Sequence, residues 1–283
     1  MATSGTEYVD ATIANGIFSP DIWSKRVIVA TESKLRFMLA VNRVFEKDAT
    51  VGRLVNVPSI GELAARDKSE GTAIQFETLA ETVVAITLNI WKYAAVGIED
   101  IVKVQSIINL REQYQKKIGY ALAKAQDTSL ADLVGGFANN TGTLGTLLTD
   151  DDFLAAKQKL DEGDVPEDDR VWVLSPAEKI NLLKINKWTS ADYVNFPSPA
   201  VTGKVPSMYG SPILETTNLK KPAAGQGDNA YFHKEALAAV VQMEPTMHAF
   251  YDVRYFSWLI ASQCIYGVKE MRDSFGYHLK GKA

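Results

Sequence analysis

The sequence is poor in the residues that usually carry chemistry. Its 283 residues include one cysteine, Cys264, and three histidines. A lone cysteine excludes an internal disulfide framework and any zinc site built on paired thiolates. No stretch approaches the roughly eighteen consecutive apolar residues of a membrane-crossing helix. The N-terminus, MATSGTEYVDATIANG, has no basic stretch followed by an apolar run, so the chain reads as soluble and without a classical export signal. A surplus of basic charge is missing too, since 30 basic against 34 acidic residues leave a net charge of −4. Tight nucleic-acid binding needs a basic surface that displaces phosphate counterions, so only weak, non-specific contact with DNA is expected.

Catalytic signatures are also absent. The sequence contains no GxxxxGK[ST] or GxGxxG loop to cradle phosphate, no GxSxG elbow for a serine nucleophile and no HExxH pair for zinc. His233, His248 and His278 lie far apart and read as structural. The run Asp150-Asp151-Asp152 has the charge for a hard cation, but a helix N-terminus favours carboxylates for dipole reasons alone. Cys264 falls on an apolar stripe, where burial would leave it inert. The five tryptophans, Trp23, Trp91, Trp172, Trp188 and Trp258, all sit inside patterned elements and read as core or interface packing. No catalytic residue, metal or cofactor is expected, and the chain does not read as an enzyme.

What is present is a patterned chain, 46% apolar, long enough to bury one core or two intimate ones. Its first fifteen or so residues are small and polar, an arm that needs another surface to lie on. Ser19-Pro20-Asp21 is an N-cap with proline at the first helical position, and Ile22, Trp23, Arg26, Val27 and Ala30 follow at helical spacing. A second helix is predicted from about Glu32 to Phe45. Strand-like runs at Val51–Pro58 and Ile74–Leu79 flank IGELAARDKSEGTA, a charged span punctuated by Gly61 and Gly71. This reads as a long protruding hairpin, and a loop of that length without its own core commonly serves binding.

ETVVAITLNIW follows as a strand, with Val84, Ile86, Leu88 and Ile90 on one face. From Asp100 to about Val134 the pattern is helical, its stripe marked by Ile101, Val104, Ile107, Ile108, Tyr114, Ile118, Ala121, Leu122 and Ala125. Such a helix would be a strut about 50 Å long, ended by Gly135-Gly136. FANNTGTLGT reads as a loop or short irregular hairpin. Thr149 and the three aspartates cap a helix over FLAAKQKL, Arg170–Leu174 is a buried strand, and Ser175-Pro176-Ala177 opens a helix through Leu183. Together these describe an α/β subdomain. A proline- and glycine-rich stretch reaches Asn218, and PAAGQGDN at 222–229 reads as an exposed loop. ALAAVVQM at 236–243 is a strand candidate. Val253, Phe256, Leu259, Ile260 and Cys264 fall at helical spacing and predict a helix terminated by Gly267, with VKEMRDSFGYHL as a closing strand.

This order of parts resembles the major capsid proteins of tailed bacteriophages, the fold shared with herpesvirus shells and encapsulins. The resemblance covers essentially the whole chain. It is carried by IFSPDIWSKRV, VNVPSIGELAARDKSEG, ITLNIWKYAAVGIEDI, DRVWVLSPAEKINLL and GKVPSMYGSPILETTNL. It implies an α+β tailed-phage capsid fold with an N-terminal arm and helices at 1–45, an extended hairpin loop at 46–95, and a peripheral domain with a spine helix at 96–150. An axial α/β domain would occupy 151–235 and a returning peripheral segment 236–283.

By the same resemblance the chain would be a structural subunit forming hexamers and pentamers of an icosahedral shell around viral DNA, assembled in the host cytoplasm. Its partners would be its own copies, a portal protein and a separate scaffolding protein, because the hundred or so residues of a built-in scaffold do not precede the arm. Arg66, Asp67, Lys68 and Glu70 in the hairpin become the expected assembly interface. Some relatives join a hairpin lysine covalently to a neighbour's asparagine, but this sequence identifies no acceptor for Lys68 and no such bond is assigned. An encapsulin-type compartment shell is the nearest alternative, and a soluble enzyme with a convergent polar pocket is the distant one.

Overall fold

The computed structural model describes residues 32–33, 35–61, 63, 65–74, 76, 81–100, 110–189, 203, 205 and 207–283. The arm, the helix expected after Ser19, residues 101–109 of the expected strut and most of the proline-rich stretch lie outside them. In chain order the described helices are α1 (Phe37–Ala40), α2 (Leu110–Leu133), α3 (Asp150–Glu162), α4 (Pro176–Leu182) and α5 (Asn186–Thr189). The strands are β1 (Leu54–Ile60), β2 (Glu81–Thr87), β3 (Ile90–Glu99), β4 (Asn139–Gly142), β5 (Arg170–Leu174), β6 (Ser207–Met208), β7 (Ser211–Glu215), β8 (Gln226–His233), β9 (Leu237–Asp252), β10 (Ser257–Glu270) and β11 (Gly276–Lys282). The architecture is mixed α+β, as expected.

The helix expected over Glu32–Phe45 shrinks to the single turn of α1. Tertiary pairing overrides the local pattern here. Asn42 bridges to β9, donating its N–H to Leu237 O at 3.0 Å and accepting from Ala239 N at 3.0 Å. Its side chain then caps the 3-10 turn Val44–Asp48 by accepting from Val44 N at 2.9 Å.

β1 and β2 form a hairpin, antiparallel from Leu54 opposite Thr87 to Ile60 opposite Glu81, so the returning arm is the strand expected to follow the hairpin. The strand expected at Ile74–Leu79 is not seen at Ile74 or Phe76, and the rest of that run lies outside the described residues. A three-stranded antiparallel sheet, β3-β10-β9, then lies against α2. Ile118 packs on Ile98 and Ile260, and Leu122 on Cys264 and Tyr266. At 1.5 Å per residue the described strut spans about 36 Å. Its buried positions, 118, 122, 126, 127, 130 and 131, follow the helical period, and Tyr114 and Ala121, expected on the stripe, face solvent instead.

The helix expected over Val253–Cys264 is corrected: those residues are a turn and the strand β10. Ile260, Ser262, Cys264 and Tyr266 are buried in alternation. A spacing of four belongs to the strand period of two as well as to the helix, and Ile260 to Cys264 satisfies both. Gly267 does not end a helix. A Cβ there would meet Thr87 O at 2.4 Å, so the glycine lets β10 pass close beside the hairpin's base.

The second body is a six-stranded sheet in the order β4-β11-β8-β5-β7-β6, parallel between β4 and β11 and between β5 and β7. It is covered on both faces. One face receives Phe153, Ala156 and Leu160 of α3 against Trp172 and Tyr231, and the other receives Phe37, Leu130 and Val134 against Val173 and Phe232. A strand buried on both faces reads as neither helix nor loop by periodicity, and β8 is the case in point. Its Gln226–Asn229 segment was expected to be exposed loop, yet Asp228 and Asn229 are buried. FANNTGTLGT likewise contributes β4. The caps behave as predicted: Thr149 and Asp152 form a reciprocal capping box on α3, and Ser175 caps α4 with Pro176 at its start.

Candidate functional site

The residue types that chemistry would need are engaged in structure. His278 pairs with Asp228 at 2.9 Å between β11 and β8, both buried. His233 accepts from Glu235 N at 3.3 Å and stacks edge-on against Phe275, with burial pushing its pKa down. His248 is exposed on β9. Cys264 is fully buried, and burial raises its thiol pKa away from the reactive range. Asp152 is absorbed in the helix cap, and Asp150 accepts from Tyr209 Oη at 2.6 Å and pairs with Lys187 at 3.1 Å. No three His, Cys, Asp or Glu side chains converge as metal ligands among the described residues.

Two buried acids instead tie segments together. Glu178 on α4 accepts from Lys282 N at 2.8 Å and Leu148 N at 3.1 Å, fixing β11 and the approach to α3. Burial raises its pKa, against the pull of those amides. Asp127 on α2 accepts from Phe37 N at 2.8 Å and Asn218 Nδ2 at 2.9 Å, binding α1 and a loop to the strut. Its pKa is also raised by burial.

The surface is where the chain departs from an ordinary monomer. On the hairpin, Ile60, Leu63, Ile74, Val83 and Phe76, the last 91% exposed, have no cover of their own. Arg66, Asp67, Lys68 and Glu70 cluster on the exposed loop beyond them. Lys68 donates to Ser69 O at 2.9 Å and to Thr72 O, clasping the turn at Gly71.

The second surface is the outer half of the three-stranded sheet. On β9 every residue from Glu244 to Tyr251 is exposed, whichever face it points to. Trp91 and Tyr93 on β3 are 67% and 79% exposed, with Trp91 Nε1 donating to Gln263 Oε1 at 3.1 Å. The turn between β9 and β10 displays Val253, Tyr255 and Phe256 to solvent. That turn is well built. Arg254 pairs with Asp252 at 2.8 Å and holds its carboxyl below the ordinary range, Asp100 N donates to Phe256 O at 2.9 Å, and Tyr251 Oη donates to Asp100 at 2.6 Å. A rigid frame presenting uncovered aromatics is the signature of a docking surface. Sequence reasoning missed it because the turn was read as helix, although Asp252 directly before the apolar cluster is a turn signal.

A family model described as phage capsid protein matches residues 31–273. No curated protein matches the chain. Among solved structures, one from Mycobacterium phage Che8 is similar with a TM-score of 0.83 and 26% identity over 93% of this chain and 97% of that one. The capsid of cyanophage P-SCSP1u superposes with a TM-score of 0.79 at 17% identity, over 95% and 94% of the two chains. The mature capsid of bacteriophage PhiM1 does so with a TM-score of 0.73, also at 17% identity, over 93% and 91%. At 17% identity these last two speak to the fold alone.

Proposed function

The chain belongs to the phage capsid protein family, and from that premise we propose how its surfaces build a shell. It is the major capsid subunit of a tailed phage, a structural protein and not an enzyme, with the tailed-phage capsid fold. It associates with its own copies into the icosahedral shell of the virion.

Two sets of uncovered surface take the intersubunit contacts in this proposal: the hairpin and the outer half of the three-stranded sheet. The single observation that carries the reading is that β9 stays exposed on both faces from Glu244 to Tyr251. A monomer gains little from ordering such a strand, whereas a neighbour's surface or strand edge would bury it. The hairpin charges Arg66, Asp67, Lys68 and Glu70 act at the rim, where they set geometry more than affinity. The parts are assigned as an arm at 1–45, hairpin loop at 46–95, peripheral domain at 96–150, axial domain at 151–235 and a returning peripheral segment at 236–283. β4 and β11, which that division counts as peripheral, join β8 and β5 in the six-stranded sheet.

The remaining partners in this reading are a separate scaffolding protein, a portal protein and packaged double-stranded DNA touched only weakly, as the net charge of −4 favours. Assembly takes place in the host cytoplasm. The test is sedimentation with negative-stain microscopy of the purified chain, alone and with a coexpressed scaffold. Closed shells or rings of five and six are expected. A stable monomer or dimer under both conditions would overturn the assignment of these surfaces.

A further inference from the structure

Beside the strip of β9 that lies open to solvent there is a groove of about 350 Å³ between α1, α2 and β9. Leu39, Ala123, Val241 and Pro245 give it an apolar lining, and Gln126, Arg43 and Glu244 are its polar members. Gln126 is only 8% exposed. Its Nε2 is buried without a hydrogen-bond partner, beside the Cys264 thiol, which is a weak acceptor. Buried polar atoms are almost always bonded, so an N–H left over at the wall of a groove marks a place that an acceptor enters from outside. Arg43 is spent on Glu46 at 2.8 Å, whereas Glu244 is exposed, with no cation beside it among the described residues.

The turn between β9 and β10 has the complementary features. Phe256 takes φ +43°, a left-handed conformation that bulky side chains rarely adopt, and its ring is exposed. Such strain persists only where neighbouring bonds hold it, here those of Asp100 and Asp252, and it keeps an aromatic ring out in water. Tyr255 N closes the turn on Asp252 O at 3.3 Å, so the carbonyls of Val253 and Arg254 can serve an outside donor. Arg254 is 81% exposed and spends Nε and Nη2 on Asp252, which leaves Nη1 for a further carboxylate. A subunit cannot fill its own groove with its own turn. Pro245 and Val253 stand eight residues apart along extended chain, a span of about 26 Å.

We propose that the turn at 253–256 of one copy docks into this groove of another, with Phe256 in its apolar part, a carbonyl of the turn on Gln126 Nε2 and Arg254 facing Glu244. The docking rests on the reading that the outer half of the three-stranded sheet is an assembly surface, and it names what that surface meets. Glu244 and Pro245 belong both to the groove and to the exposed strip of β9, so strip and groove form one continuous contact for a neighbour. The volume is at the lower end of the range for pockets that enclose a small ligand, enough for an aromatic side chain. Arg254 and Glu244 have opposite charge and set the register of the contact more than its strength.

The primary test replaces Leu39, exposed at the groove, by the photo-crosslinking residue p-benzoylphenylalanine in the full chain. Shells formed with a coexpressed scaffold from a mixture of isotope-labelled and unlabelled subunits are illuminated, digested and read by mass spectrometry. Peptides joining position 39 to the 253–256 turn of another copy are expected. Crosslinks from formed shells to the arm, the hairpin or the scaffold instead would overturn the docking and leave the assembly surface standing. A wild-type chain that forms neither shells nor rings overturns both. Gln126→Met, which keeps the size of the side chain and removes the donor, decides the matter where the labelled subunit does not assemble. It should leave urea unfolding unchanged, since the lost donor had no partner in the subunit, and raise the concentration needed for assembly roughly twofold to tenfold. An unchanged assembly concentration, or a rise matched by an equal loss of subunit stability, would show that Gln126 takes no partner from a neighbour and sink the proposal.

Discussion

β8 and β9 follow each other with only the 3-10 turn Lys234–Ala236 between them, yet they meet opposite fates. From Gly227 to His233 every residue of β8 is buried, whereas from Glu244 to Tyr251 every residue of β9 is exposed. β8 has strands on both sides and a packed layer on each face. The outer half of β9 has β10 on one side and no second strand on the other among the described residues. In the proposed assembly the difference separates the part of the subunit that folds for itself from the part that another copy would cover. Hydrophobic content does not make the distinction, since the exposed Phe250 and Phe256 are as apolar as the buried Phe153 and Phe232. Coverage does.

The sharpest way to break that comparison is to substitute an aromatic on each side of it. Trp172 is fully buried, stacked on Tyr231 at 3.7 Å, edge-on to Phe153 at 5.6 Å, and donates from Nε1 to Met208 O at 3.1 Å. Trp172→Ala should cost about 3–5 kcal/mol of subunit stability, read by urea unfolding. Replacing Phe250, Tyr255 and Phe256 together by serine should leave that unfolding within about 0.5 kcal/mol per site while preventing closed shells. Shells that still form from the triple variant would remove the outer sheet from the assembly surface.

Next in size is the buried carboxylate of the strut. Asp127→Ala leaves the amides of Phe37 and Met38 and the side chain of Asn218 without their acceptor. A loss of about 1–3 kcal/mol is expected. Exchange of the Phe37 and Met38 amides should rise before any change in the six-stranded sheet. Uniform loosening of both bodies would show instead that α1 is integral to the core and not a strap across it.

A smaller effect belongs to the cap of α3. Burial works against the charge of Asp152, but bonds from the Thr149 amide, the Thr149 hydroxyl and the Thr141 hydroxyl outweigh it and hold the carboxyl below its ordinary value. A depressed folded-state pKa gives stability that is present above 3.8 and lost as pH falls through the folded value. Thr149→Ala should cost about 1 kcal/mol at neutral pH. Its difference from wild type should shrink in acid, as followed by thermal unfolding from pH 6 to pH 2.

How legible all this is in the sequence depends on whether the deciding contact is local. Thr149, Ser175 and Pro176 act within one turn of chain, and the helices they start were readable. Arg170–Leu174 was readable because a short apolar run between turn signals has few other uses. β10 was not, because its identity as a strand lies in pairing with Ala249 and Val96, far away in sequence. Asp228 and Asn229 were read as loop because their composition is that of a loop. What buries them is His278 for the first and, for the second, Ser175 N, which donates to Asn229 Oδ1 at 2.7 Å. Gly281 completes that packing, since a Cβ there would fall 2.7 Å from Glu178 Oε1. The hairpin charges draw attention in the sequence because their loop lacks a core, whereas the aromatic turn at 253–256 is concealed by a spacing that two periods share.

The smallest effect is expected on the hairpin itself, where the comparison can be sharpened by salt. Lys68 spends its ammonium on two carbonyls of its own turn, so Lys68→Ala should soften residues 65–73 without moving the unfolding midpoint of the subunit. Exposed ion pairs are worth about 0–1 kcal/mol each and are screened over about 10 Å at 0.1 M salt. Loss of about 0.5 kcal/mol per contact raises the concentration needed for assembly roughly twofold at low ionic strength. That difference from wild type should vanish as salt is raised, as followed by light scattering. If the variant assembles as wild type does even at low salt, the charges at 66–70 are a solvated loop. The hairpin's hold on its neighbour then lies in Leu63, Ile74 and Phe76, which salt would strengthen rather than weaken.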